Sequence, residues 1–211
     1  MPYISKLTNA GGVSTVTRYT DMLAGNAVFN PSAMKLIQNT TLTSTQNGIT
    51  FSSIPQTYKH LQLVINAKGT STEYYYGHIY LRFNGLDGAS AYGGLKNQAY
   101  NVDWGSSISA FGSYPATTLD AGYYVDNFSS TNNMFGPMVV DIPNYTSTTQ
   151  NKTTTSRFGF ITGLSTGQNT STTGWGSGVS FNTAAITSIL VNNYGSQFVS
   201  GTTISLYGFE G

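Results

Sequence analysis

Between Lys59 and Ala67 every second residue is apolar: Leu61, Leu63, Ile65 and Ala67 share one phase of a two-residue repeat. Successive side chains of a strand point to opposite faces, so this spacing predicts a strand with one covered side; a helix would scatter the four residues around its axis. Similar segments recur at Ile49–Ile54, Tyr74–Phe83, Ala99–Trp104, Met134–Ile142, Arg157–Thr162, Gly174–Phe181, Ala185–Asn192 and Thr202–Tyr207. That is roughly nine strands, with turn residues about every 8–12 positions, the rhythm of an antiparallel sandwich or barrel. Asn47-Gly48 and Asn84-Gly85 are dipeptides favoured in tight hairpin turns. Pro55 cannot donate a ladder hydrogen bond, so it ends the strand before it, and Gln56-Thr57-Tyr58 turns the chain into the next.

The expected fold is all-β: an antiparallel β-sandwich, jelly-roll-like, over residues 39–211. Residues 1–38 read as an extended N-terminal arm with one or two short helical turns. Thr17–Ala24 would make one, closed by Gly25, and Ser32–Ile37 another after Pro31. Neither would fold alone, because helices this short are marginal in water.

Composition narrows the function. Charged residues make up 8% of the chain, against roughly 25% in ordinary soluble domains. From Phe158 through Phe209 no side chain is charged. A surface solvated by Ser, Thr, Asn, Gln and Gly repels its neighbours weakly and favours packing against other subunits. The formal charge of +1 gives no basis for a nucleic-acid or membrane partner. Cysteine is absent, so disulfides and thiolate metal sites are excluded.

Ile49-Thr50-Phe51-Ser52-Ser53-Ile54-Pro55-Gln56-Thr57-Tyr58-Lys59-His60-Leu61-Gln62-Leu63, followed by Leu81-Arg82-Phe83-Asn84-Gly85, resembles a family of tailed-bacteriophage structural proteins. Those proteins also close on a strand like Ile204-Ser205-Leu206-Tyr207-Gly208-Phe209. Arg18-Tyr19-Thr20-Asp21-Met22-Leu23-Ala24-Gly25-Asn26-Ala27 is similar to leaders on virion proteins of marine and cyanobacterial phages. The resemblance implies a place in a virion, assembled in the host cytoplasm, with the leader as a docking arm. It does not fix which part of the virion.

The residues for catalysis are not assembled in the sequence. His60 and His78, the two histidines, both fall in strand-like segments. Asp120 and Asp126 are the close acidic pair, in a Tyr/Asn-rich stretch where turn capping is the simpler role. Gly176-Ser177-Gly178 lies in what reads as a Gly/Ser loop and lacks the strand-to-helix setting of a nucleophile elbow. No metal-ligand spacing and no phosphate-cradling motif occur, so the expectation is no enzyme, no metal and no cofactor.

One constellation stays open. Tyr74, Tyr75, Tyr76, Trp104, Tyr123, Tyr124 and Trp175, with Tyr92, Tyr100 and Tyr114, stand among Asn, Asp, Ser and Gly. Such rings pack half-buried sheets, anchor subunit interfaces, or stack on sugars.

Two functions compete. In the first, the chain is a surface-displayed virion subunit, with capsid decoration (a cement or head-fibre protein) favoured. Arg18, Tyr19, Asp21, Met22, Leu23, Val28 and Phe29 of the arm then dock on other virion proteins of capsid or tail. The partner surface supplies the burial that short apolar groups cannot make alone. In the second, it is a tail-fibre or baseplate receptor-binding module that grips host surface polysaccharide through its aromatics. Either is expected to be a homotrimer, by analogy with phage display proteins.

Overall fold

The alternating segment is a strand, third among those that the structure describes: β1 (Met34–Thr41), β2 (Gly48–Phe51), β3 (His60–Ala67), β4 (Tyr76–Phe83), β5 (Tyr92–Val102), β6 (Gly105–Ala116), β7 (Leu119–Val125), β8 (Gly136–Pro143), β9 (Lys152–Thr162), β10 (Thr170–Ser180), β11 (Ile189–Tyr194) and β12 (Thr203–Phe209). The computed structural model describes residues 34–71, 76–88, 90–102, 105–125, 134–162, 170–194 and 196–210. No helix occurs among them. The arm residues Arg18, Tyr19, Asp21, Met22, Leu23, Val28 and Phe29 lie outside them, as do Tyr74, Tyr75, Trp104 and Asp126.

The strands form an antiparallel β-sandwich. One sheet has the order β1-β12-β3-β8-β9-β10-β5-β6, the other β2-β11-β4-β7. Four of the pairings are those of a folded ribbon: β4 with β7, β3 with β8, β2 with β11, and β1 with β12. The chain runs out through β1–β4 and returns alongside itself. Two insertions, β5–β6 and β9–β10, leave that ribbon and pair with each other through β10 and β5, which widens the first sheet.

Alternation decides which side chains go between the sheets. Leu61, Leu63 and Ile65 of β3, Met138, Val140 and Ile142 of β8, and Ile204 and Leu206 of β12 are buried from the first sheet. Ile79 and Leu81 of β4, Ile189 and Val191 of β11, and Phe51 of β2 meet them from the second. Each such burial contributes roughly 1.5–3 kcal/mol. Two of the segments that carry the resemblance are neighbours in space. Phe209, Gly208 and Tyr207 pair with His60, Leu61 and Gln62. The ring of Tyr58 lies where a side chain at residue 208 would be, so glycine is required there.

Past β9 the covered face changes character. Lys152, Thr154 and Ser156 of β9, Thr172 and Ser180 of β10, and Lys96 and Gln98 of β5 are buried and polar. Gly174, Gly176 and Gly178 alternate among them on β10. A Cβ on Gly178 would stand 2.7 Å from the Leu119 side chain, and one on Gly174 would stand 2.4 Å from the Asn97 carbonyl. This Gly-x-Gly-x-Gly stretch is part of a strand, as the segment Gly174–Phe181 predicts, and not the Gly/Ser loop also read there; its missing side chains let β7 lie close.

Three local expectations are corrected. Met34–Ile37 is not a helical turn. It is part of β1, whose Met34 and Leu36 pair with Phe209 and Tyr207. A ladder partner overrides a weak local helical preference. Asn84-Gly85 does form a tight turn, with φ of 53° and 69° and the Leu86 N–H donating to the Phe83 carbonyl at 2.9 Å. It joins no hairpin, however, because β4 and β5 belong to different sheets. The Asn84 side chain instead ties this corner to the stretch before β11. Its Oδ1 accepts from the Thr187 and Ser188 N–H groups at 2.8 and 3.1 Å, and its Nδ2 donates to the Ala185 carbonyl at 2.8 Å. Asn47-Gly48 is likewise a crossing between sheets, from β1 to β2.

Candidate functional site

Directly opposed residues in an antiparallel ladder share a face, so the register maps the outer side of the widened sheet. One row reads Val139, Arg157, Trp175, Asn97, Ala110 across β8, β9, β10, β5 and β6. The row beside it carries Gly159, Thr173, Ala99 and Ile108, and the row on the other side Asp141, Thr155, Ser177, Leu95 and Gly112. Trp175 is 60% exposed, Ile108 83% and Leu95 48%. Small side chains surround them, which leaves a shallow platform with one tall indole near its centre. Arg157 is the one charged residue at the described outward positions of β9, β10, β5 and β6, and its Nη2 lies 3.6 Å from Asp141 Oδ2. Trp and Arg side by side are the residue types that most often dominate binding energy at interfaces.

Of the aromatic residues singled out in the sequence, Trp175 is the one whose described side chain stands on this platform. Tyr76, Tyr123 and Tyr124 sit at paired positions of β4 and β7, on the opposite sheet. Tyr92 is fully buried: its hydroxyl accepts from the Phe83 N–H at 2.9 Å and donates to the Leu86 carbonyl at 3.2 Å, a packing role. Leu95 and Ile108 give no site signal in the sequence, since their strands lack an apolar-polar alternation long enough to register.

The titratable groups gather elsewhere. Lys96 Nζ stands 2.5 Å from Asp120 Oδ2, and His78 Nδ1 stands 3.1 Å from the same oxygen. The lysine side chain is only 6% exposed. Burial pushes the Lys96 ammonium down, and Asp120 pulls it back up. Burial alone would raise the Asp120 carboxyl, but the hydrogen bond from His78 and the neighbouring Lys96 outweigh it and hold it below its ordinary value. The His78 ring stacks on Tyr80 at 5.8 Å. His60 is exposed and accepts from the Asn144 N–H at 3.2 Å. Lys152 is buried under a loop, where its ammonium donates to the carbonyls of Ser147, Gln150 and Thr183 at 2.7, 2.8 and 2.9 Å. Both lysines are structural ties. Among the described residues no group of His, Asp and Glu side chains is arranged to hold a metal ion.

No protein-family model matches the chain, and no curated protein matches it. A solved structure, the crystal structure of Scytalido-glutamic peptidase with a peptide-based transition-state analogue, aligns at 12% identity with a TM-score of 0.19. The alignment covers 80% of this chain and 66% of the peptidase, just under two thirds of its length. A likeness at that score carries no argument about fold or chemistry. The platform around Trp175 therefore rests on its own geometry.

Proposed function

We propose that this chain is a non-enzymatic structural subunit of a phage virion: a jelly roll displayed on the particle and tethered by its N-terminal arm, acting as a capsid decoration protein. The strand order supports the reading most. With the two inserted hairpins set aside, β1-β12-β3-β8 faces β2-β11-β4-β7, the arrangement of a jelly roll, an architecture found in viral capsid and lectin domains. Fold alone does not assign a role. The second support is the Trp175 platform, nearly uncharged, on a chain with so few charges that copies repel one another weakly. We assign its occupant as another copy of this chain, in a closed trimer. His78 and Asp120, the groups best suited to acid–base work, engage each other, and Asp120 also engages Lys96.

Light scattering on the purified full chain tests the self-assembly. A trimer is expected, dispersing in Trp175→Lys with the thermal melt unchanged; a monomeric parent would overturn it. The receptor-binding alternative draws on Trp175 lying between Asn97 and Arg157, a ring flanked by hydrogen-bonding groups as in sugar-stacking sites. A glycan array on which Trp175→Lys alone loses signal would favour that reading.

A further inference from the structure

An edge strand presents a row of unpaired N–H and C=O groups to any other extended chain, and folds blunt such edges with charges, bulges or shortness. Three of the four edges here are blunted. β1 is interrupted by a register shift between Leu36 and Gln38 and carries Lys35, which pairs with Glu210. β2 is only four residues long. β7 shifts register opposite Ile79 and Tyr80 and carries Asp120. β6, at the end of the wider sheet, has none of these devices over most of its length. From Gly105 to Ser113 it keeps nine consecutive pairs with β5 and holds no charged residue; its register shift is confined to the end near Ala116. Among the described residues no strand pairs with its other side. Nine strand residues span about 30 Å. In an antiparallel ladder every second one turns both main-chain groups away from its partner strand.

We infer that β6 is a second assembly surface, which pairs antiparallel with β6 of another copy of this chain about a twofold axis. The main-chain groups along the edge select an extended strand as its occupant. A second copy fits because an identical strand brings no charge to an edge that has none. A register centred on Ser109 pairs the whole regular stretch with itself and sets Ile108 opposite Ala110 of the other copy, a large side chain against a small one. Ile108, 83% exposed, and Ala110, also exposed, lie on the side of the sheet that carries Trp175. The pairing therefore joins the platforms of two copies into one continuous face. Being twofold, the contact is distinct from the threefold contact proposed for Trp175, and it links trimers in pairs. It is one strand wide, far smaller than a standard interface of about 1,600 Å². It is accordingly weak in dilute solution and forms where copies are crowded, as on a particle.

The full chain carrying Trp175→Lys, which removes the platform contact, isolates the edge. Sedimentation velocity from about 1 μM to about 1 mM should show monomer passing to dimer. At the top of that range, amide hydrogen exchange should slow about tenfold at alternate residues of Gly105–Ser113. Adding Ile108→Lys and Ala110→Lys sets like charges opposite each other across the twofold. That protein should stay monomeric throughout, with an unchanged melt, since both positions are exposed. Should the added substitutions prevent folding, the exchange pattern of Trp175→Lys decides. Monomer at every concentration in Trp175→Lys, a dimer whose β6 amides exchange no slower, or a dimer unaffected by the added substitutions would overturn the proposal. A parent that is monomeric when dilute yet dimerises through β6 when concentrated would refute the trimer and support this inference.

Discussion

Replacing Asp120 with Asn keeps the shape of the Lys96–Asp120–His78 cluster and removes its negative charge. Lys96, 6% exposed, would then keep a positive charge under the sheet without the carboxylate that stands 2.5 Å from its ammonium. Removing one partner of a buried ion pair costs about 3–5 kcal/mol. The Asp120 side chain is 18% exposed, so water relieves part of this, and the lower end, about 3 kcal/mol, applies. For a body of this size that lowers Tm by about 6–12 °C. The pH dependence follows from the same geometry. The folded protein holds the Asp120 carboxyl below its ordinary value, so its contribution is complete above the unfolded pKa of about 4. It is lost as pH falls from there through the lowered folded value. Calorimetry should therefore show the parent losing stability below about pH 4, and Asp120→Asn losing less over the same range. Lys96→Met should cost less than Asp120→Asn, because Asp120 keeps His78. A Tm loss below about 2 °C in Asp120→Asn, or a larger loss in Lys96→Met, would show that the lysine head is solvated and the reasoning wrong.

Lys152→Met strands the carbonyls of Ser147, Gln150 and Thr183, and should lower the urea unfolding free energy by about 3 kcal/mol; a loss under 1 kcal/mol would mean the loops re-form without the ammonium. Removal of residues 1–33 should leave the melt of the sandwich intact, while removal of 1–38 cuts into β1 and should lower it measurably. Equal melts for the two truncations would show that β1 adds nothing to its sheet.

The sequence reveals strands where burial is apolar and hides them where it is not. His60–Ala67 and Met134–Ile142 declare themselves because one face meets a hydrocarbon core. Gly105–Ala116 and Leu119–Val125 carry no strand signal: β6 presents Ile108 outward beside Ser and Gly, and β7 has Asp120 between Leu119 and Ala121. Met34–Ile37 looked helical because its strand character comes from β12, far along the chain. The platform was half legible. Trp175 stood out as an exposed ring in a polar setting, but Leu95, Ile108 and Asn97 join it only through the β10–β5–β6 ladder, which no local pattern encodes.

Quantitative mass spectrometry of purified phage particles, with a reconstruction of their outer surface, tests most directly whether the chain is part of a particle. The chain should be present in fixed proportion to the major capsid protein, with sandwich density at regular positions outside the shell. Particles that are complete and infectious yet contain none of its peptides would contradict the proposal.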